Sequence, residues 1–473
     1  MEDTNDNSDN IAIDEETYED VMDKQTFSRN RIKIMICMVF LFIADGVEMC
    51  FFGLTIIPFG SYFNVEETSV EIQFASSAIF IGIMIGSAIA SLLTKKIGRI
   101  ITINSSNFVF FITFLIKSIW LNIPLYIICE ILSGIALGII IPIFMNVYGE
   151  YLPDKYRGLL LMVAWSFFGI GELIMCLITL AVMPELQKDK LQEYLLILSI
   201  FPFLQFVSCL ICLRDSPKGI SLAKKLKEKK NPLILLNNVN QAPTDNEQDE
   251  NSEKITKEND ESYSTKEIIK EMFSPGLKKT TILLIFIFIF LGYNAFGIYS
   301  IAAYFLEYLD EKESDKEEEE SIPARDIIIN QLLYSVADFG SNVIGGFIGE
   351  IRILGRKGGI IIFSILAGVL TVIGLFKKIL FQITSPIVSG CTNIYVNLIM
   401  DYVVELYPTK IRDTSTSSLF LIYRISCASC NFISIGFYDI HKFIPYIIYT
   451  IFAILSTLFT WALPYEMAGK SMK

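Results

Sequence analysis

The sequence predicts an all-α polytopic membrane protein, with twelve transmembrane helices in two six-helix pseudo-symmetric halves. Three observations predict it. Apolar types make up 52% of the 473 residues and charged types 19%, against about a quarter charged in ordinary soluble domains. The apolar residues fall in blocks of about 20, the length a helix needs to cross hydrocarbon. A pair of loop motifs also occurs twice, in the same order, roughly half a chain apart.

The blocks run over 34–57, 72–93, 100–119, 124–148, 158–182, 194–213, 280–303, 327–349, 359–376, 380–401, 414–437 and 443–463. Helices are forced, because lipid satisfies no backbone hydrogen bond and the blocks are too long and uniform for barrel strands. Five segments are expected: an acidic disordered tail over 1–31, a first half over 32–213, a linker with a polar insert over 214–279, a second half over 280–465 and a short tail over 466–473. The N-terminus is acidic and lacks the basic start of a signal peptide. Lys24, Arg29, Arg31 and Lys33 precede the first block. Further cations follow in alternate loops: Lys95, Lys96 and Arg99; Lys155 and Arg157; Arg352, Arg356 and Lys357; Lys410 and Arg412. Excess cations mark the cytoplasmic side, so both termini are expected there. Lys377 and Lys378 break this pattern. Residues 307–320 read as an acidic outer loop with nine acids and two lysines, either a solvated spacer or a collector of cations.

Composition excludes several classes. The net charge of −12 argues against nucleic acid. The single histidine, His441, leaves no multi-histidine metal site. No phosphate-binding loop of the ATPase type occurs. No enzyme chemistry, cofactor or metal is predicted. All nine cysteines lie within spans, and the Cys209/Cys212 and Cys427/Cys430 spacings sit on apolar helices without further ligands, which reads as packing.

The repeat is Gly98-Arg99 followed by Glu150-x-x-Pro153-x-x-x-Arg157, and Gly355-Arg356 followed by Glu405-x-x-Pro408-x-x-x-Arg412, at offsets of 257 and 255 residues. Duplicated halves are the mark of alternating-access carriers with the cargo site between them. An acid ending one helix can pair with an arginine starting the next, and such pairs would act as gates. Plain topological charges are the alternative.

On these motifs the chain resembles the major facilitator superfamily, near the sugar-porter, organic-ion-transporter and synaptic-vesicle-protein-related branches. Asp45-Gly46-Val47-Glu48, Arg214-Asp215-Ser216-Pro217-Lys218 and Arg424, twelve residues after Arg412, carry the resemblance further. It implies a major-facilitator fold and transport of a small solute. The superfamily's loop aspartate is replaced by Lys95 and Arg352, and Glu130 stands near the place of the sugar porters' fourth-span arginine.

Charges at membrane depth cost about 2.5–3.5 kcal/mol even on the mild scale, and they mark candidate sites. Asp45, Glu48, Glu130, Glu172, Asp338, Asp401 and Arg424 are such charges, six acids against one base. Asp45 and Glu48 share a helix face. Tyr334, Asp338, Ser341 and Asn342 form a polar stripe, Asn393, Asn397 and Asp401 step by four, and Tyr293 and Asn294 lie in a glycine-flanked segment. The candidate binding residues are therefore Asp45, Glu48, Glu130, Glu172, Tyr293, Asn294, Tyr334, Asp338, Asn342, Asn393, Asn397 and Arg424. The candidate gating residues are Gly98, Arg99, Glu150, Arg157, Gly355, Arg356, Asp401, Glu405 and Arg412. The expectation is a monomeric carrier of a small organic solute, an organic cation, a sugar or similar, in which protons can be coupled. The alternative is a carrier-shaped receptor or scaffold that no longer transports.

Overall fold

The structure is a computed structural model and describes residues 29–66, 69–152, 157–213, 265–313, 324–350 and 355–464. The expected acidic tail up to residue 28, the polar insert and the final tail lie outside the described residues. In chain order the helices are α1 (Arg29–Phe63), α2 (Val70–Ile97), α3 (Arg99–Ile119), α4 (Ile123–Tyr151), α5 (Arg157–Val182), α6 (Leu191–Leu198), α7 (Ile200–Cys212), α8 (Thr265–Met272), α9 (Lys278–Glu313), α10 (Ala324–Glu350), α11 (Gly355–Gly374), α12 (Lys378–Leu406), α13 (Thr409–Ile440) and α14 (Ile444–Trp461).

Among the described residues, eleven stretches are long and apolar enough to cross a bilayer, with α6 and α7 forming one of them. The twelfth is α10. It has the length, but Asp326, Asn330, Gln331, Asp338 and Asn342 make it too polar to qualify on hydropathy. The sixth span departs from expectation by breaking into α6 and α7 at Ser199. Pro202 explains the break, since it has no N–H to donate back to Leu198. The acidic segment departs too, because α9 runs on through Glu313. Phe305, Leu306 and Leu309 are buried there, against Phe381, Phe443 and Tyr446. The short helix α8 was not expected. Ile268 and Met272 are its buried face, and the Thr281 hydroxyl donates to the Met272 carbonyl at 2.8 Å.

The helices pack as two equivalent sets. In the first half α2 packs on α4, α1 on α5, α3 on α4, and α7 on both α1 and α3. In the second half α10 packs on α12, α9 on α13, α11 on α12, and α14 on both α9 and α11. Each contact in one set has its counterpart in the other, as expected of a duplicated bundle. The halves meet mainly through α2 on α13 and α5 on α10. Those two contacts also exchange under the pseudo-two-fold.

Backbones pack closely between α2 and α4. A Cβ on Gly82 would stand 2.2 Å from the Ile131 carbonyl oxygen, and one on Gly134 would stand 2.2 Å from that of Ile79. Gly86 and Gly138, four residues further along each helix, are crowded in the same way. Small residues spaced by four let backbones approach where no hydrophobic effect drives helices together.

Lys378 sits on the face opposite the start of α1 and bridges Asp310 at 2.7 Å and Asp326 at 2.8 Å. Two carboxylates thus account for one of the two lysines that break the charge pattern.

Candidate functional site

Charged side chains inside the bundle gather in three places. The first lies wholly within the first half. Lys117 of α3 donates to both oxygens of Glu48 on α1, at 2.9 and 2.8 Å, and to Glu130 on α4 at 2.7 Å. The lysine and Glu48 side chains are fully buried and Glu130 is nearly so. The ammonium also lies over the rings of Phe114 at 4.0 Å and Phe51 at 4.6 Å. Such a group survives burial only because its charges are paired and its protons used. The interior therefore holds a second base beside Arg424, which corrects the count of six acids against one base. Lys117 was missed because it stands two residues before the end of its span, where a lysine normally reaches to the headgroups.

The second place is the seam between the halves. Asp45 on α1 is buried, and its Oδ1 has no hydrogen-bond partner. The charge acting on it is Arg424 of α13, in the other half. Arg424 is buried, its Nε is unpartnered, and its guanidinium lies 4.8 Å from the Phe420 ring centre. Among the described residues the two form no ion pair. An acid and a guanidinium thus lie buried in opposite halves, and each keeps an unused polar atom.

The rest of the seam is a chain of contacts between halves. Gln331 of α10 donates to the Tyr299 hydroxyl at 2.7 Å, and that hydroxyl donates to the Cys50 carbonyl on α1 at 3.0 Å. The Cys50 thiol donates to Glu172 Oε1 on α5, while Oε2 is buried without a partner. Glu172 in turn feels the charge of Asp338 on α10. The Tyr334 ring stands edge-on to Tyr299 at 5.5 Å.

Within the second half the two polar stripes meet each other. Asp338 Oδ1 accepts from the Ser389 hydroxyl at 2.9 Å and from Asn393 Nδ2 at 2.7 Å. Asn397 Nδ2 donates to Asn342 Oδ1 at 3.0 Å. These residues form a ladder joining α10 to α12. The Tyr293 hydroxyl bonds Ser429 of α13 at 2.8 Å, and the half-buried Asn294 stands next to it.

The third place is the face where α1 starts and α14 ends. Gly98 and Gly355 have φ of +88° and +66° and turn the chain between consecutive helices, a backbone region that favours glycine. Arg356 reaches Asp401 at 3.1 Å and Glu405 at 2.9 Å. The second copy of the motif pair is therefore one contact, in which the Gly-Arg arginine holds the acid of the Glu-x-x-Pro segment. The geometry gives Glu405 a partner on α11, where the spacing had suggested the start of the next helix. Arg99 begins α3 at the equivalent place. The side chains of Glu150, Arg157 and Arg412 lie outside the described residues. Among the described residues no group of three or more His, Cys, Asp or Glu could hold a metal ion.

Twelve membrane-length helical segments in two equivalent sets, with charged groups held inside each half and at the seam, define a polytopic solute carrier. Residues 34–473 match the family described as "Sugar (and other) transporter", and the chain belongs to that family, within the major facilitator superfamily. It is 22% identical to an organic cation/carnitine transporter of Arabidopsis thaliana, over 96% of this chain and 95% of that protein. It is 23% identical to a synaptic vesicle 2-related protein of Rattus norvegicus, over 96% of this chain and 82% of that one. Its fold matches a D-xylose-proton symporter with a TM-score of 0.69 at 15% identity, over 93% of this chain and 99% of that one. A xylose transporter from E. coli, in a partially occluded inward open conformation, matches with a TM-score of 0.67 at 16% identity, over 94% and 100% of the two chains.

Proposed function

We propose that the chain carries a small organic solute bearing a positive charge, alone or with a negative one, by alternating access. One observation carries this reading. Asp45 and Arg424 are buried, come from opposite halves, act on each other electrostatically and leave Oδ1 and Nε unused. An ammonium group satisfies the carboxylate, and a carboxylate or carbonyl on the same solute satisfies the guanidinium. A solute that spans the two ties the halves together, and rocking about α2–α13 and α5–α10 would then expose it to either side. The Arg356–Asp401–Glu405 contact serves as a clasp between α11 and α12 during that motion. The organic cation/carnitine transporter among the relatives agrees with a charged cargo. The clustering of lysine and arginine in alternate loops supports cytoplasmic termini.

The test is uptake by reconstituted vesicles, with matched radiolabelled cations, zwitterions and neutral sugars. Cation or zwitterion uptake is expected, with a loss of about thirtyfold or more in Asp45→Asn, as about 2 kcal/mol of lost charge pairing gives. Uptake of a neutral sugar that Asp45→Asn leaves unchanged would refute the proposal.

A further inference from the structure

The sequence reads Cys209-x-x-Cys212 as packing, and the fold adds a third thiol to that pair. Cys37 lies in the early turns of α1, and α1 packs along α7. Its thiol donates to the Ser208 carbonyl of α7 at 3.3 Å. In an α-helix a carbonyl also accepts the N–H four residues on, here that of Cys212, and the Ser208 carbonyl adjoins the Cys209 nitrogen. The Cys37 sulfur therefore sits over the turn that joins the two cysteines of the motif, and its side chain is hydrogen-bonded to both of theirs. Among the described residues no group of three such side chains is placed to hold a metal ion, which leaves these thiols to react with one another.

The three thiols are not equivalent. Cys37 and Cys209 are fully buried, and the Cys209 sulfur accepts from Gln205 Nε2 at 3.2 Å. Cys212 is the last residue of α7 and is part-exposed, so a reagent arriving from the face where α1 starts meets it first. Exposure decides where an oxidant attacks, and a neighbouring thiol decides whether the product is captured as a disulfide. The second Cys-x-x-Cys pair supplies the contrast. Cys427 and Cys430 are both fully buried. The Cys427 thiol goes to the Gly292 carbonyl at 3.8 Å and that of Cys430 to Asn431 at 3.7 Å.

We propose that Cys212 and Cys37 form a dithiol redox site, which takes hydroperoxides as its oxidant and yields a disulfide between α1 and α7. The Cys212 sulfur attacks a peroxide oxygen, the O–O bond breaks, and Cys212 becomes a sulfenic acid as an alcohol or water leaves. The Cys37 sulfur then attacks the sulfenic sulfur, the S–O bond breaks, and water leaves with the Cys37 proton. In sum, two thiols give up two electrons and two protons, and the peroxide is reduced. A small dithiol reverses the change by thiol–disulfide exchange. The new bond pins the early turns of α1, the helix that carries Asp45 and Glu48, to the end of α7. Both helices belong to the first half, so the site stands apart from the seam and does not depend on what the cargo is.

The test uses the full-length protein in nanodiscs with no cargo present. It is treated with hydrogen peroxide, unfolded, alkylated with N-ethylmaleimide and proteolysed without reductant. Mass spectrometry is expected to find the Cys37 and Cys212 peptides joined, two hydrogens lighter than their sum, and separated again by dithiothreitol. Cys209→Ser is expected to keep the joined pair, while Cys37→Ser and Cys212→Ser each abolish it. In Cys37→Ser the Cys212 sulfenic acid is expected to accumulate and to be captured by dimedone. Cys427 and Cys430 are expected to be recovered alkylated throughout. Hydrogen exchange in the early turns of α1 is expected to slow on oxidation of the wild type and to stay unchanged in Cys37→Ser. A joined pair that persists in Cys212→Ser, or wild-type Cys212 recovered reduced or over-oxidised with Cys37 still free, would overturn the proposal. No transport is measured, so failure of the vesicle screen leaves this readout standing, and the two readings fail separately.

Discussion

Replacing Lys117 with methionine removes the cation that Glu48 and Glu130 share and leaves two carboxylates facing each other in a sealed pocket of the first half. At 2.7–2.8 Å and an effective dielectric of about 20, each contact is worth about 6 kcal/mol of Coulomb attraction. Desolvation of three buried groups takes most of that back, and breaking a buried pair by removing one partner costs about 3–5 kcal/mol. At about 4 kcal/mol, the folding equilibrium falls by about a thousandfold. The assay is titration of the purified protein from mild detergent into SDS, with unfolding followed by the loss of a monodisperse species. Lys117→Met should unfold at a clearly lower SDS fraction than the wild type. The triple variant Glu48→Gln/Lys117→Met/Glu130→Gln removes all three charges at similar volume and should recover most of the loss, since whole buried ion groups are often replaceable at little cost. A Lys117→Met protein within about 1 kcal/mol of wild type would mean that the three groups are not coupled as their geometry requires.

Gly134→Val should force α2 from α4, because its first added carbon would stand 2.2 Å from the Ile79 carbonyl oxygen. At a cost of about 1–3 kcal/mol or more, less protein should elute as a folded peak on size-exclusion chromatography, and an unchanged yield would contradict the close contact. Gly98→Ala places a side chain at φ +88°, ψ 158°, a region nearly confined to glycine. It should cost about 1–3 kcal/mol in the same SDS titration, although the Cβ itself meets nothing within 4 Å. Arg356→Gln breaks contacts to the part-exposed Asp401 and Glu405, each worth about 1 kcal/mol or less. Global stability should move little, while hydrogen exchange in the first turn of α11 should quicken, and unchanged protection there would exclude a clasp role.

The sequence carried the fold further than it carried the site. Span positions follow from the cost of exposing backbone to lipid, and most were legible within a few residues. The break at Ser199 was written in Pro202 but hidden by the uniform hydrophobicity around it. The extension of α9 was hidden by its acids, which read as loop until Lys378 supplied their partner from 68 residues away. Asp45, Glu172, Asp338 and Arg424 stood out as charges at membrane depth. Their pairings did not, because pairing depends on which helices touch. Gln331 carried no signal of its own, since amide side chains are common in packed helices.

By itself, the sequence determined that this chain must bury its backbone in membrane helices, that it is built twice over, and that it keeps charges where lipid penalises them. Hydrocarbon dictates those properties one residue at a time, so a linear reading recovers them. Only the tertiary structure decided that Glu48 and Glu130 belong to Lys117, that Asp338 bonds to Ser389 and Asn393 of its own half, and that Asp45 and Arg424 lie buried in opposite halves without pairing. Electrostatic partnership depends on distance in space, and residues on different helices, from 13 positions apart for Lys117 and Glu130 to 69 for Lys117 and Glu48, become neighbours only when the bundle closes.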